Sequence, residues 1–420
     1  MKILVVGNGG REHAIAWALL QSPQVTQVLC VPGNGGTATM DRCQNLSFRS
    51  DDFGGIARFA EVNGVALIVI GPEFPLSIGI VDYLNNRNIP VFGPTRAGAQ
   101  IESSKTWAKA LMEDANIPTP KSATFTDLTT ARAYIEQQGA PIVVKADGLA
   151  GGKGVIVAET LAEALTAVEL LFAQNYGRLL IEEYVTGQEV SVIALTDGKT
   201  VRALLPAQDH KRIGDGDTGA NTGGMGAYAP APLATPALML RVQNEVLDPT
   251  LAALKRKGID YRGVLYAGLM ISPSGEPKVL EFNCRFGDPE TQAILPLLAT
   301  PLVDLLLACT EQRLAALPPI EWKPAVATCV TIAAQGYPGN YERGKVISGI
   351  DMATNEGTLV FHAGTQLKQN RVVTDGGRVL SVTCIAPDFA SSIDRVYQGV
   401  KAINFEGMYY RQDIAQRALS

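Results

Sequence analysis

The chain has 420 residues, 46% of them apolar and 18% charged, with a net charge of −5. That length predicts two to four domains at roughly 100–200 residues each, and the absence of any basic block excludes a nucleic-acid footprint. Six cysteines without a CxxC pair exclude a zinc ribbon and a disulfide framework and fit a reducing cytoplasm; no run approaches ~18 uninterrupted apolar residues, so no membrane span is expected, and Ile3–Val6 is too short for a signal-peptide core.

Residues 1–100 alternate strand and helix. Strands are expected at Ile3–Val6, Val25–Val31, Ala66–Ile70 and Pro90–Phe92, and a helix at Glu12–Gln21. Such alternation predicts a parallel sheet with helices on its faces. The turns Pro32–Gly36 and Gly71-Pro72-Glu73 fall at strand C-terminal ends, where open α/β sheets bind ligands. One helix is expected over 101–120, stopped by Pro118 and Pro120. A small unit follows at 121–186, with strands at Pro141–Ala146, Gly154–Ala158 and Leu179–Glu183 and a helix at 160–173. Next come antiparallel strands at Ser191–Leu195 and Ala203–Pro206, a loop over 208–228, a long helix over 236–256, and strands Val264–Ile271 and Lys278–Asn283. Residues 322–420 read as a separate unit. It holds a strand at Val326–Ala333, a hairpin over 372–380 turning at Asp375-Gly376, and a helix at 388–403.

Within Lys278–Phe286, period-two alternation points Glu281, Asn283 and Arg285 to one face and Phe282, Cys284 and Phe286 to the buried one. A carboxylate and an amide oxygen two residues apart suit one magnesium ion, with water and phosphate filling its other positions. Arg285 adds a charge suited to a phosphoryl oxygen or a carboxylate; a surface Glu–Arg pair is the plainer alternative. Lys145 opens a strand–glycine loop–strand segment with Gly148, Gly151, Gly152, Lys153 and Gly154. Four glycines let backbone N–H groups approach a phosphate, and no Walker loop is present. Glu182, Glu183, Val185 and Glu189 lie where the small unit rejoins the main body. Gln208–Arg212 and Asn221–Gly226 bracket a loop dense in donors, from which Lys211 and Asn221 are assigned to the nucleotide. Among the histidines, His13, His210 and His362 receive no proton-transfer role; nothing in the sequence clusters around His362.

Taken together these segments resemble the ATP-grasp superfamily and, within it, the glycinamide ribonucleotide synthetases. Gln208–Arg212 with Asn221–Tyr228, and Glu281–Glu290 (EFNCRFGDPE), are the most specific matches, and the likeness covers essentially the whole chain. The resemblance implies an α/β and α+β multidomain fold. Its parts are an open parallel substrate-binding α/β domain (1–100), an ATP-grasp core (101–120 and 187–321) with a small lid (121–186), and a mixed α+β C-terminal domain (322–420). It implies ligation of glycine to 5-phosphoribosylamine, driven by ATP through glycyl phosphate. By that resemblance Glu281 and Asn283 carry magnesium (or manganese), Lys105, Lys145 and the loop 148–154 hold the phosphates, and Glu182, Glu183, Val185 and Glu189 surround the adenosine. Arg285 is the candidate for glycine's carboxylate or the transferred phosphoryl group, and Asp209 for the amine's proton. The Gly9-Gly10-Arg11 turn, with Gly71-Pro72-Glu73, is read as the site for the phosphate of phosphoribosylamine. A monomer or weak homodimer is expected, without nucleic-acid or membrane partners. One departure concerns the metal: Val264–Ile271 lacks the further acid that many ATP-grasp enzymes carry, which leaves the number of ions open. The rival from another class, a dinucleotide-dependent oxidoreductase, needs a third glycine where Glu12 stands and an acid after the second strand. Another carboxylate–amine or biotin-dependent ligase is the rival within the superfamily.

Overall fold

Strands β1 (Lys2–Gly7), β2 (Gln27–Pro32), β3 (Cys43–Asn45), β4 (Val65–Ile70) and β5 (Val91–Phe92) form a parallel sheet in the order β3-β2-β1-β4-β5. The computed structural model describes residues 1–149, 154–174 and 176–419. Ile3–Val6 and Leu67–Val69 are fully buried, as expected for strands covered on both faces. The chain runs outward from β1 to one side and from β4 to the other. The C-terminal ends of β1 and β4 therefore flank a topological switch point.

The expected helix over 101–120 is two helices, Arg96–Ser103 and Lys105–Asp114. They meet at Ser104, whose extended backbone (φ −137°, ψ 105°) and hydroxyl, accepting from Trp107 N–H at 3.2 Å, make it an N-cap. Pro118 and Pro120 then carry the chain, non-helical, into a second sheet.

That sheet is antiparallel: β6 (Ser122–Phe125), β7 (Ile142–Ala146), β8 (Val155–Ala158) and β9 (Leu179–Glu183), in the order β6-β9-β7-β8. It has its own core, including Ile135, Val144, Val168 and Ile181. The helix Leu128–Gln138, capped by Asp127, and β6 go unread in the sequence because their apolar residues are sparse.

The third sheet comprises β10 (Gln188–Asp197), β11 (Val201–Ala203), and, after an excursion, β16 (Arg262–Ile271) and β17 (Pro277–Asn283), in the order β11-β10-β16-β17. β11 ends where the strand was expected to begin. A Cβ on Gly187 would lie 2.2 Å from Ile271 O, so only glycine lets the chain re-enter here. The excursion corrects the expected loop over 208–228. It contains β12 (Gln208–Asp209), β13 (Arg212–Gly214), β14 (Thr218–Asn221) and β15 (Gly226–Ala229); β13 and β14 form a hairpin. These strands are too short and glycine-rich to show periodicity. The helix over 236–256 forms, but Gln243–Leu247 is a π turn just before Pro249, which lacks an N–H.

The last sheet takes β18 (Val326–Ala334), β19 (Leu359–His362), β22 (Arg378–Ala386) and the short β23 (Met408–Tyr409), with β12 and β15 completing one edge. The expected hairpin over 372–380 is absent. β21 (Arg371–Thr374) pairs instead with β20 (Thr365–Lys368) around Gln369-Asn370, both at positive φ (47° and 60°). Gly376 serves a close crossing: a Cβ on Gly364 would lie 2.4 Å from its Cα. The helix Phe389–Ala402 covers this sheet.

Candidate active site

Two glycine turns meet at the switch point. Glu12, in the first turn of helix Gly10–Leu20, accepts from Gly9 N–H at 2.6 Å and pairs with Arg11 at 2.5 Å. A Cβ on Gly71 would fall 2.1 Å from its carboxylate, so Glu12 fills the space between the turns after β1 and β4. A dinucleotide fingerprint has a glycine there, and the filled space counts against that reading. Arg11 reaches Phe286 O at 3.1 Å, and Glu73 reaches Arg285 at 3.1 Å. Gly9, Gly10, Arg11, Gly71, Pro72 and Glu73 are thus gathered beside the end of β17.

The alternation expected over 278–286 is broken at Leu280. The register jumps from Gly268↔Glu281 to Leu269↔Val279, which is a bulge. Val279 consequently shares the core with Phe282 and Cys284, and Glu281 is freed from it. The Glu281 carboxylate has no hydrogen-bond or ion-pair partner among the described residues. Burial raises its pKa, but Lys211, Lys145, Lys105 and Arg285 together hold it below the usual carboxylate range. Asn283 Oδ1 accepts from Arg285 at 3.3 Å. Arg285 is gripped by Glu73 and by Glu102, at 3.1 Å each, and Glu102 also accepts from Cys284 N–H at 2.8 Å. An all-oxygen donor set facing four cations suits a hard divalent ion that arrives with phosphate. No cluster of three or more His, Cys, Asp or Glu able to hold a metal exists among the described residues.

Lys105 and Lys145 converge from two elements, the 105–114 helix and β7. Lys105 Nζ donates to Gly148 O at 2.8 Å. Lys145, on β7, donates to Leu280 O at 3.0 Å and lies 2.6 Å from Glu182 Oε2. Asp147 anchors the loop entrance to the 105–114 helix, accepting from Thr106 N–H at 3.2 Å and its hydroxyl at 2.6 Å. Gly154 is buried, while Gly151, Gly152 and Lys153 lie outside the described residues. Of the residues assigned to adenosine, Glu182 spends its carboxylate on Lys145 and Lys109, Glu183 pairs with Lys278 at 2.8 Å, and Glu189 pairs with Lys211. Val185 is half-buried after β9.

Asp209 is half-buried on β12, paired with Ala227 of β15, and its carboxylate makes no ion pair within 4 Å among the described residues. Burial pushes its carboxyl up to about 7, with Glu290 and Glu189 adding to the rise and Lys211 opposing it. Glu290 is buried and accepts from Ser191 Oγ (3.0 Å) and Tyr266 OH (2.5 Å). Asn221 lies opposite Arg212 in the β13–β14 hairpin.

His362 is not isolated, contrary to expectation. Its N–H donates to His13 Nδ1 at 2.8 Å, and Asn34 bridges His362 O to Asn8 O and Gly9 O. Burial lowers both imidazole pKa values, His362 to about 4, so both are neutral near pH 7. Lys109, Glu102, Glu290 and Arg378 were not foreseen. Arg378 binds Asp288 O and Gly223 O at 2.8 and 2.6 Å. Two of them had a readable signal: Lys109 stands four residues from Lys105 on one helix face, and Glu290 closes the Glu281–Glu290 motif.

Comparison with known proteins matches three family models along the chain. The phosphoribosylglycinamide synthetase N domain matches residues 1–102, the ATP-grasp (A) domain 103–291 and the C domain 327–417. The chain is 63% identical to the phosphoribosylamine–glycine ligase of Nostoc sp. and 56% identical to that of Synechocystis sp., over the full length of both partners in each case. The crystal structure of a phosphoribosylamine–glycine ligase from Thermotoga maritima superposes with a TM-score of 0.84 at 33% identity, covering 98% of this chain and 100% of that one.

Proposed function

Because this chain belongs to the phosphoribosylglycinamide synthetase family, we propose a division of labour among its residues for that family's reaction. The activity is ATP-dependent ligation of glycine to 5-phosphoribosylamine, giving glycinamide ribonucleotide for purine synthesis. The observation that carries the residue roles is the unpaired Glu281 carboxylate facing Lys105, Lys145, Lys211 and Arg285.

Glycine's carboxylate oxygen attacks the γ-phosphorus of ATP, giving glycyl phosphate and ADP. The neutral amine of phosphoribosylamine then attacks the acyl carbon and phosphate leaves. Phosphoryl transfer needs positioning and positive charge more than a nucleophilic side chain. Lys105 and Lys145 supply charge at the phosphates, and Glu281 with Asn283 would hold magnesium or manganese. Held there, it would supply positive charge against the phosphates. Arg285, oriented by Glu73 and Glu102, faces the transferred group or glycine's carboxylate. Asp209 accepts the amine's proton. The sheet β6–β9, with its own core, acts as the lid that keeps water from the acyl phosphate. The switch-point turns take the phosphate of phosphoribosylamine.

No helix among the described residues is long and apolar enough to cross a membrane. With no basic block and six cysteines without a CxxC pair, the chain is read as cytoplasmic and without nucleic-acid partners, and a monomer or weak homodimer is expected. Glycine labelled with oxygen-18 in its carboxylate tests the acyl phosphate: the label is expected in the released phosphate, and unlabelled phosphate would rule that intermediate out.

A further inference from the structure

A buried cation sits one turn along the 105–114 helix from Lys105. Lys109 is 4% exposed. Its ammonium lies 2.7 Å from Glu182 Oε1, 2.7 Å from Thr119 Oγ1 and 2.9 Å from Pro120 O. The other oxygen of the same carboxylate lies 2.6 Å from Lys145 Nζ, and Glu182 and Lys145 are themselves 2% and 6% exposed. Two buried ammonium groups thus share one buried carboxylate, and the three groups together carry one positive charge, faced by Glu281 alongside Lys145. Such a triad is costly unless an anion completes it.

The two lysines are held differently. Lys109 is bound on three sides by Glu182 and by the connector that leads into β6. Lys145 has only Leu280 O besides Glu182 among the described residues, and it stands at the strand end that opens into the glycine loop. Lys145 is the partner that can leave.

We propose that Lys109 is a positioning residue for the nucleotide: it keeps the Glu182 carboxylate paired while Lys145 turns from that carboxylate to a phosphate. The proposal rests on the reading of Lys145 as a phosphate ligand. Without Lys109, departure of Lys145 would strand a buried carboxylate with no counter-ion. The nucleotide would then compete with an internal ion pair for the same ammonium.

The test is calorimetric titration of the full chain with ADP and magnesium. Lys109→Met is expected to weaken binding by about tenfold or more, the scale of one lost buried charge partner, while KM for glycine stays unchanged. Removing the carboxylate as well, in Lys109→Met/Glu182→Gln, is expected to bind more tightly than Lys109→Met and as tightly as Glu182→Gln alone. A Lys109→Met protein that binds ADP as the parent does, or a double variant no tighter than Lys109→Met, overturns the proposal. Should Lys109→Met fail to fold, the two Glu182→Gln proteins decide: equal affinities support it and a weaker double variant overturns it. Lys145→Met separates the premise, since unchanged ADP binding there removes the phosphate reading of Lys145 and this inference with it.

Discussion

Asp209 shows how burial sets chemistry at a single side chain. Its carboxyl titrates near 7 because it is desolvated and close to Glu290 and Glu189. As a proton acceptor it must be ionised, so kcat/KM is expected to rise as pH climbs through about 7. Asp209→Asn should flatten that limb in a pH–rate profile; a limb that survives the substitution would remove Asp209 from the reaction. Glu281→Gln keeps the shape of the proposed metal ligand and removes its charge, and should cost more than about 100-fold in kcat/KM while the fold persists. Steady-state kinetics at varied magnesium, with a melting curve as control, reads both. Glu281, Asn283, Lys145 and Asp209 could be named as candidates from the sequence because each belongs to a local motif. Glu102 and Arg378 were not. Their partners Cys284 and Asp288 lie 182 and 90 residues away in sequence, and no local pattern announces a contact of that span.

Elements decide whether those residues face one another. The bulge at Leu280 turns Glu281 out of the core that holds Val279 and Phe282. The sequence shows strand periodicity but not the slip, because a bulge is defined by the partner strand. Asp147 fixes the loop entrance to the N-terminus of the 105–114 helix, where a carboxylate is favoured by the unpaired N–H groups. Asp147→Ala should destabilise the fold by about 1–2 kcal/mol, the range for a lost cap, and raise KM for ATP. Thermal unfolding and kinetics measure the two effects; an unaltered KM would mean the loop does not depend on this anchor. The Asp375-Gly376 expectation failed for a related reason. Its glycine is needed for a close passage beside Gly364, and turn propensity does not distinguish a crossing from a hairpin.

At the scale of the molecule, the parallel sheet and the C-terminal sheet are joined through Asn34. Its side chain ties the turn after β1 to β19 by accepting from Gly36 and Thr37 N–H and donating to Asn8, Gly9 and His362 carbonyls. Asn34→Ala leaves these buried groups unpaired and is expected to lower Tm and to raise KM for phosphoribosylamine more than KM for ATP. Equal changes in both constants would contradict a site at the switch point. The parallel character of the N-terminal sheet was legible from strand–helix alternation; the order of strands, the addition of β12 and β15 to the C-terminal sheet, and the packing of one sheet on another were not, because they rest on long-range pairing and on single residues such as Asn34 and Arg378. The most direct test of the whole account is ADP release by the purified chain with substrates offered one at a time and together. Release matched by glycinamide ribonucleotide, only when ATP, glycine and 5-phosphoribosylamine are all present, is the expected result. Sustained turnover with bicarbonate or another carboxylate in place of glycine, or none with the full set, would contradict it.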